Sequence, residues 1–142
     1  MNREIKFRAW KIVEDINKAV FVYGSLIESS HPSCSPVIAY WKGSPIAKLE
    51  MIEVFHDTVG QYTGLKDKNG VEIWENDLVE LDNNRLCKVV WHSYSGRWDL
   101  KFISEKQLTP KFLPCGINDI RNRGEVIGNI HENPELLKKI KI

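Results

Sequence analysis

Residues 61–81 read QYTGLKDKNGVEIWENDLVEL, and the whole chain can be read outward from them. Gln61, Tyr62 and Thr63 favour an extended backbone, because aromatic and β-branched side chains fit a pleated surface. Gly64 then frees the chain. Asp67-Lys68-Asn69-Gly70 predicts a tight reversal, since Asp and Asn bond nearby backbone groups and Asn and Gly tolerate positive φ. Val71 and Ile73 alternate as in a half-buried strand. Glu75-Asn76-Asp77 breaks that strand, and Leu78-Val79-Glu80-Leu81 begins another. Two close turns among three short strands predict a β-meander. Asp67 and Asn69 before Gly70 also match part of a calcium loop, but the spacing fails. Such a loop needs three oxygen-bearing positions before the glycine and a glutamate six residues after it, where this chain has Asn76.

The same punctuation recurs on both sides. Residues 4–12 alternate, with Ile5, Phe7 and Ala9 on one face and Lys6, Arg8 and Trp10 on the other. Residues 14–17 predict a hairpin loop before a second strand over 19–23. Residues 25–36 are polar and interrupted by Pro32 and Pro36, so a loop is expected. A strand is expected over 37–41. Residues 46–59 fit neither period cleanly; a strand is preferred, with a short helix as the rival. Residues 82–84 predict a turn. Residues 86–91 and 97–103 predict a hairpin, with Val89 and Trp91 on one face and Trp98, Leu100 and Phe102 sharing a face of the return strand. Residues 104–122 are expected to wrap the surface. Residues 125–131 predict a last strand, with a bulge at Gly128. Asn133 is expected to cap a short C-terminal helix, with Pro134 in its first position, Glu135 in its first turn, and Lys138, Lys139 and Lys141 at its end. The fold expected is mainly β: a meander closing into a small barrel or pseudo-barrel, with the piece over 61–130 SH3-like in size. One domain over 1–142 is expected, with sub-lobes at 1–58 and 59–142.

Composition agrees with an ordinary globular protein: 42% hydrophobic and 27% charged residues over 142 positions. No apolar run approaches the ~18 residues of a membrane span, and with Arg3, Glu4, Lys6 and Arg8 interrupting the start no signal peptide is expected. Cys34, Cys87 and Cys115 are odd in number and far apart, which argues for a reducing cytosol over a disulfide framework. The net charge of +1 is unevenly laid out. Residues 67–82 carry a net charge of −5 and residues 85–123 a net charge of +5. Such neighbours pair across strands, make complementary faces on two subunits, or leave a basic face for a polyanion.

Reactive constellations are weak. His31 and Cys34 have zinc-ligand spacing but lack a second pair. Cys115 with a remote His92 or His131 is a pairing that any chain with a few Cys and His permits. Glu72, Glu75, Asp77 and Glu80 suit solvated strand charges better than an acid–base pair or a Mg²⁺ site. No cofactor, metal or small-molecule substrate is expected. The sharpest candidate is nucleic-acid binding through Lys6, Arg8 and Trp10 on the first strand, and Lys88, Tyr94, Arg97 and Lys101 near Trp91 and Trp98 in the hairpin. Basic groups attract phosphate and exposed aromatics offer stacking platforms. Against it stands the plainer reading that Trp91 and Trp98 are core and the lysines are solvated surface. The competing class is self-assembly, for which five tryptophans supply apolar surface.

The central stretch also resembles the signature of the YopX-like family of phage and prophage proteins. The shared positions are Gln61, Tyr62, Thr63, Gly64, Leu65, Asp67, Asn69, Gly70, Ile73 and Asp77. Residues 3–10, REIKFRAW, resemble the family's opening strand, and residues 126–137, VIGNIHENPELL, its closing segment with Gly128, Asn129, Asn133 and Pro134. Asn76 stands where the family commonly has Gly, Trp74 where Tyr is usual, and His131 where an aromatic residue is usual. The resemblance implies an all-β protein of phage origin in the cytoplasm of a bacterial host. It brings no catalytic residue with it. The function expected is non-enzymatic binding or assembly as a homo-oligomer, with nucleic-acid binding in phage DNA metabolism as the alternative.

Overall fold

A computed structural model describes residues 3–81, 85–103, 117 and 120–138. The turn expected at 82–84, most of the wrap over 104–122, Cys115, Lys139 and Lys141 lie outside these. The protein is mainly β, with antiparallel sheets and a short helix near the C-terminal end. The chain divides into two compact units, Met1–Tyr62 and Thr63–Ile142.

The first unit contains β1 (Phe7–Trp10), β2 (Phe21–Ile27), β3 (Val37–Lys42), β4 (Lys48–Glu53) and the start of β5 (Gly60–Lys66), in the order β4-β3-β2-β1-β5. The hairpin loop after β1 forms as expected: the Asp15 carboxylate accepts the Asn17 N–H at 3.0 Å and starts a 3₁₀ turn over Ile16–Lys18. β2 runs further than its composition suggests. Ser25, Leu26 and Ile27 pair with Ala39, Ile38 and Val37, so the loop expected over 25–36 is confined to 28–36. Long-range pairing overrides local polarity here. At Gly24 any Cβ would run into the Ala39 carbonyl oxygen, so a side chain there would force β2 and β3 apart. The ambiguous stretch 46–59 contains both elements: β4, then a 3₁₀ turn over His56–Thr58. Thr58 fixes that turn. Its Oγ1 donates to the Phe55 carbonyl at 2.7 Å and accepts the Trp10 N–H at 2.8 Å. Ala9, Ile38 and Val54 form the fully buried core, with Phe7, Val22, Leu26, Tyr40, Ile52 and Val59 packed round it.

The second unit takes up β5 and adds β6 (Glu72–Trp74), β7 (Asp77–Leu81), β8 (Arg85–His92), β9 (Arg97–Phe102), α1 (Ile120–Arg123), β10 (Glu125–Asn129) and α2 (Pro134–Lys138). β6 pairs with β5, and a separate four-stranded sheet has the order β10-β7-β8-β9. Its core gathers Ile73, Val79, Leu81, Cys87, Val89, Trp98, Leu100, Ile117 and Ile120, with Leu65, Phe102 and Val126 against it. The reversal after β5 is built on Asp67. One carboxylate oxygen accepts the N–H groups of Asn69 and Val71 at 2.8 and 2.9 Å. The other accepts the Val126 N–H at 2.9 Å, tying the turn to β10. The second reversal uses Asn76 at φ 68°, a left-handed conformation that Asn tolerates, and Asp77 accepts the Trp74 N–H at 2.7 Å.

The bulge expected at Gly128 is present, as a register shift between Val126 and Gly128 in the pairing of β10 with β7. A Cβ at Gly128 would overlap the Asn133 carboxamide. Asn133 stands at the N-cap position expected for it, its carbonyl accepting the Leu136 N–H at 3.1 Å, while its Oδ1 accepts the Asn129 N–H at 3.2 Å and ties the start of α2 to the bulge. Pro134 and Glu135 do occupy the first turn of α2. No closed barrel is found among the described residues. In the first unit the nearest approach is one bridge, Lys11 to Val54, with Ile12 N–H bonded to the Glu53 carbonyl and Phe55 N–H to that of Trp10.

Asp67 is 5% exposed, so removing its carboxylate strands three backbone donors. Asp67→Ala is expected to lower the unfolding free energy by about 3 kcal/mol, and Asp67→Asn by about half as much because one acceptor oxygen remains. Urea denaturation followed by tryptophan fluorescence measures both; equal stability of Asp67→Ala and wild type would contradict the assignment.

Candidate functional site

The polar members of the central motif are spent on the fold. Thr63 Oγ1 donates to the Ile73 carbonyl at 2.7 Å and accepts the Leu65 N–H at 3.2 Å. Asp67 and Asp77 hold the two reversals. Asn129 Oδ1 accepts the N–H groups of His131 and Glu132 at 3.0 and 2.9 Å, building the turn that leads to Asn133. Gly64 and Gly70 lie at φ 86° and 81°, and Tyr62 and Ile73 are buried. Gln61 pairs with Phe7, Leu65 packs on the core, and Asn69 is exposed on the turn. The motif thus encodes buried polar groups with backbone partners, as burial requires.

Among the described residues, the acidic, histidine and thiol candidates do not converge. Asp77 is 2% exposed and committed to the Trp74 N–H, while Glu80 stands exposed on β7. His31 and Cys34 do meet, with Sγ 4.0 Å from Nδ1, but that nitrogen already accepts the Ser33 N–H at 3.2 Å. Among the described residues, no group of three or more His, Cys, Asp and Glu side chains is placed to hold a metal ion. His92 Nδ1 accepts the Ser95 N–H at 3.1 Å within the β8–β9 turn. Among the described residues no helix is long and apolar enough to cross a membrane.

The seven basic and aromatic candidates fall into two groups, one in each unit. In the first unit, Lys6, Arg8 and Trp10, expected on one strand face, are largely covered by neighbouring side chains. Arg8 is 7% exposed, with its guanidinium 4.4 Å from the centre of the Phe21 ring. Lys6 is half-buried; its Nζ is 3.2 Å from Glu4 and 4.8 Å from the centre of the Tyr62 ring. Trp10 packs on Phe21 at 6.1 Å. Strand alternation placed these side chains together, but β2 laid its aromatic side chains over them. In the second unit, Lys88 stands opposite Lys101 and His92 opposite Arg97, so Lys88, Arg97 and Lys101 share one face of the hairpin with His92. Trp91 and Trp98 lie opposite each other on the other face, rings 5.0 Å apart, and Trp98 is buried. The indoles and the lysines therefore do not interleave. Tyr94, at the turn, is 97% exposed. The Arg97 Nε donates to both oxygens of the buried Asp99 carboxylate, at 3.1 and 3.3 Å. Among the described residues, Lys88 and Lys101 have no carboxylate within ion-pair distance.

A surface that the sequence reading passed over lies on the first unit's sheet. Ile27 pairs with Val37, Ala39 with Met51 and Trp41 with Leu49, so these side chains share one face. The core lies on the other face, with Ile38, Tyr40 and Ile52. On the outer face Trp41 is 71% exposed, Met51 62% and Leu49 51%, with Ile27 and Tyr23 also exposed. The signal in the sequence was apolar residues at both parities of 37–41 and 49–52, which blurs the strand period.

Cys87, by contrast, belongs to the interior. Burial pushes its thiol from 9.0 up to about 11, against a smaller opposing pull from Arg85. The folded state keeps the thiol protonated where the unfolded chain loses the proton. That contribution to stability is whole below pH 9 and is lost as pH rises from 9 towards about 11. Over this window wild type is expected to lose stability more steeply with pH than Cys87→Ala, as measured by urea denaturation at each pH; parallel slopes would contradict it.

Comparison with known proteins bears on the whole chain. None of the curated proteins matches it. The chain is similar to a solved structure, the crystal structure of protein EF1440 from Enterococcus faecalis. The two are 29% identical with a TM-score of 0.57, over 96% of this chain and 99% of that one. The model of the YopX protein family matches residues 6–138. With its two reversals, its Gly128 bulge and nearly its full length covered by that match, the chain belongs to the YopX protein family.

Proposed function

We propose that this is a non-enzymatic binding protein, encoded by a phage or prophage, acting in the bacterial cytoplasm through its surface as a homo-oligomer. The observation that carries this reading is the outer face of β2, β3 and β4, where Trp41, Met51 and Leu49 stand side by side in solvent. Apolar side chains grouped in this way mark interaction sites more often than scattered ones do. The pseudo-barrel form over 61–130 belongs to the same reading.

A second reading, nucleic-acid binding in phage DNA metabolism, now draws on the β8–β9 hairpin alone. It is favoured by Lys88 facing Lys101, since a phosphate bound between two like charges would relieve their repulsion. Two measurements separate the readings. Light scattering across a concentration series is expected to give a mass above the 16.4 kDa of one chain; a single-chain mass throughout would sink self-assembly. If the hairpin binds phosphate, anisotropy with a single-stranded oligonucleotide shows affinity that falls steeply with salt and is weakened by Lys88→Ala with Lys101→Ala. Affinity indifferent to salt would sink that alternative.

A further inference from the structure

The end strand of the first unit's sheet supplies a specific contact. β4 pairs with β3 in one unbroken register, from Glu53 opposite Val37 to Lys48 opposite Lys42. Its backbone groups therefore alternate cleanly between the two sides of the strand. Val54 N–H points towards β3's side and bonds the Pro36 carbonyl. The Glu53 carbonyl and the Phe55 N–H point the other way, to Ile12 and Trp10. Stepping back by two, the N–H and C=O groups of Met51 and Leu49 point outward from the sheet as well. Among the described residues nothing pairs with them: β4 is the last strand in its order, and β1's continuation covers only Glu53 to Phe55. Bare edges of this kind invite another strand.

We infer that this edge pairs with the same edge of a second copy, antiparallel about a two-fold axis at Leu49, so that Lys48 of each copy faces Glu50 of the other. This rests on the self-assembly reading and names its contact. A two-fold axis normal to the sheet keeps each face on its own side, so only residues of equal parity meet. Registers centred on Leu49, Glu50 and Met51 each bring outward backbone groups opposite one another. Centring on Met51 sets Leu49 against Glu53, whose carbonyl is already taken by Ile12. Centring on Glu50 opposes two glutamates. Centring on Leu49 pairs Leu49 with its twin and Met51 with Ala47 on the apolar face, and places a Lys48–Glu50 pair on each side of the axis on the other face. Opposite charges across strands stabilise and like charges do the reverse. Strand addition supplies backbone bonds, and the side chains select the register.

Cysteine scanning reads the register directly, in the full chain with Cys34→Ser and Cys115→Ser to remove the other reactive candidates. Directly opposed residues bring their Cα atoms within disulfide reach, whereas a two-residue offset on each strand does not. Under mild oxidation, Leu49→Cys is expected to give a covalent dimer, and Glu50→Cys and Met51→Cys to give little. In solution, Lys48→Glu is expected to weaken dimerisation about tenfold, and adding Glu50→Lys to restore it, because the swap re-forms both pairs. Cross-linking favoured at residue 50 or 51, at all three alike, or at none in a protein that still dimerises overturns this register and leaves self-assembly standing. A swap variant no better than Lys48→Glu alone does the same. A single-chain mass at every concentration overturns both.

Discussion

A carboxylate with both oxygens filled by backbone N–H groups holds the second unit together. Asp67 is nearly out of solvent, and a buried charge is tolerable only where hydrogen bonds replace its water. Two of its partners, Asn69 and Val71, are local and close the reversal; the third, Val126, is distant in sequence and lies near the start of β10. One side chain thus sets both a turn and a strand position. From there β10 pairs with β7, the ladder slips at Gly128, and Asn133 folds back into the space that a side chain at Gly128 would occupy.

The same economy runs through the rest of the motif that marks the family. Thr63, Asp77 and Asn129 each bond backbone groups that their turns leave open. Residues that look like a reserve of carboxylates and amides for chemistry are instead committed to architecture. Attention therefore moves to the outer surfaces, and there the two units differ. The first presents apolar side chains on a sheet face and a strand edge that no described residue pairs; the second presents a basic hairpin face with its indoles turned the other way.

Much of this was legible in the chain. The reversals at 67–70 and 75–77, the hairpin of β8 and β9, the bulge at Gly128 and the first turn of α2 follow from residues within a few positions of each other. Asn76 adopts the left-handed conformation its position asks for. The features that could not be read locally depend on partners far away. β2 extends through Ser25 because β3 offers it a ladder. Arg8 is covered because Phe21 and Tyr23 arrive across the strand pair. The Asn133 Oδ1 bonds back to Asn129 because a bulge without a side chain makes room for it.

By itself, then, the amino-acid order determined the strand-and-turn alphabet, the family, and which residues were polar enough to need a partner. Alternation and turn chemistry act over a handful of residues, so they are written locally. Which partner each polar group found, and which faces stayed in water, was decided only when the strands were laid side by side. Exposure belongs to the pairing and not to the residue: Trp41 and Trp98 read alike in the chain, yet one stands in solvent and the other in the core.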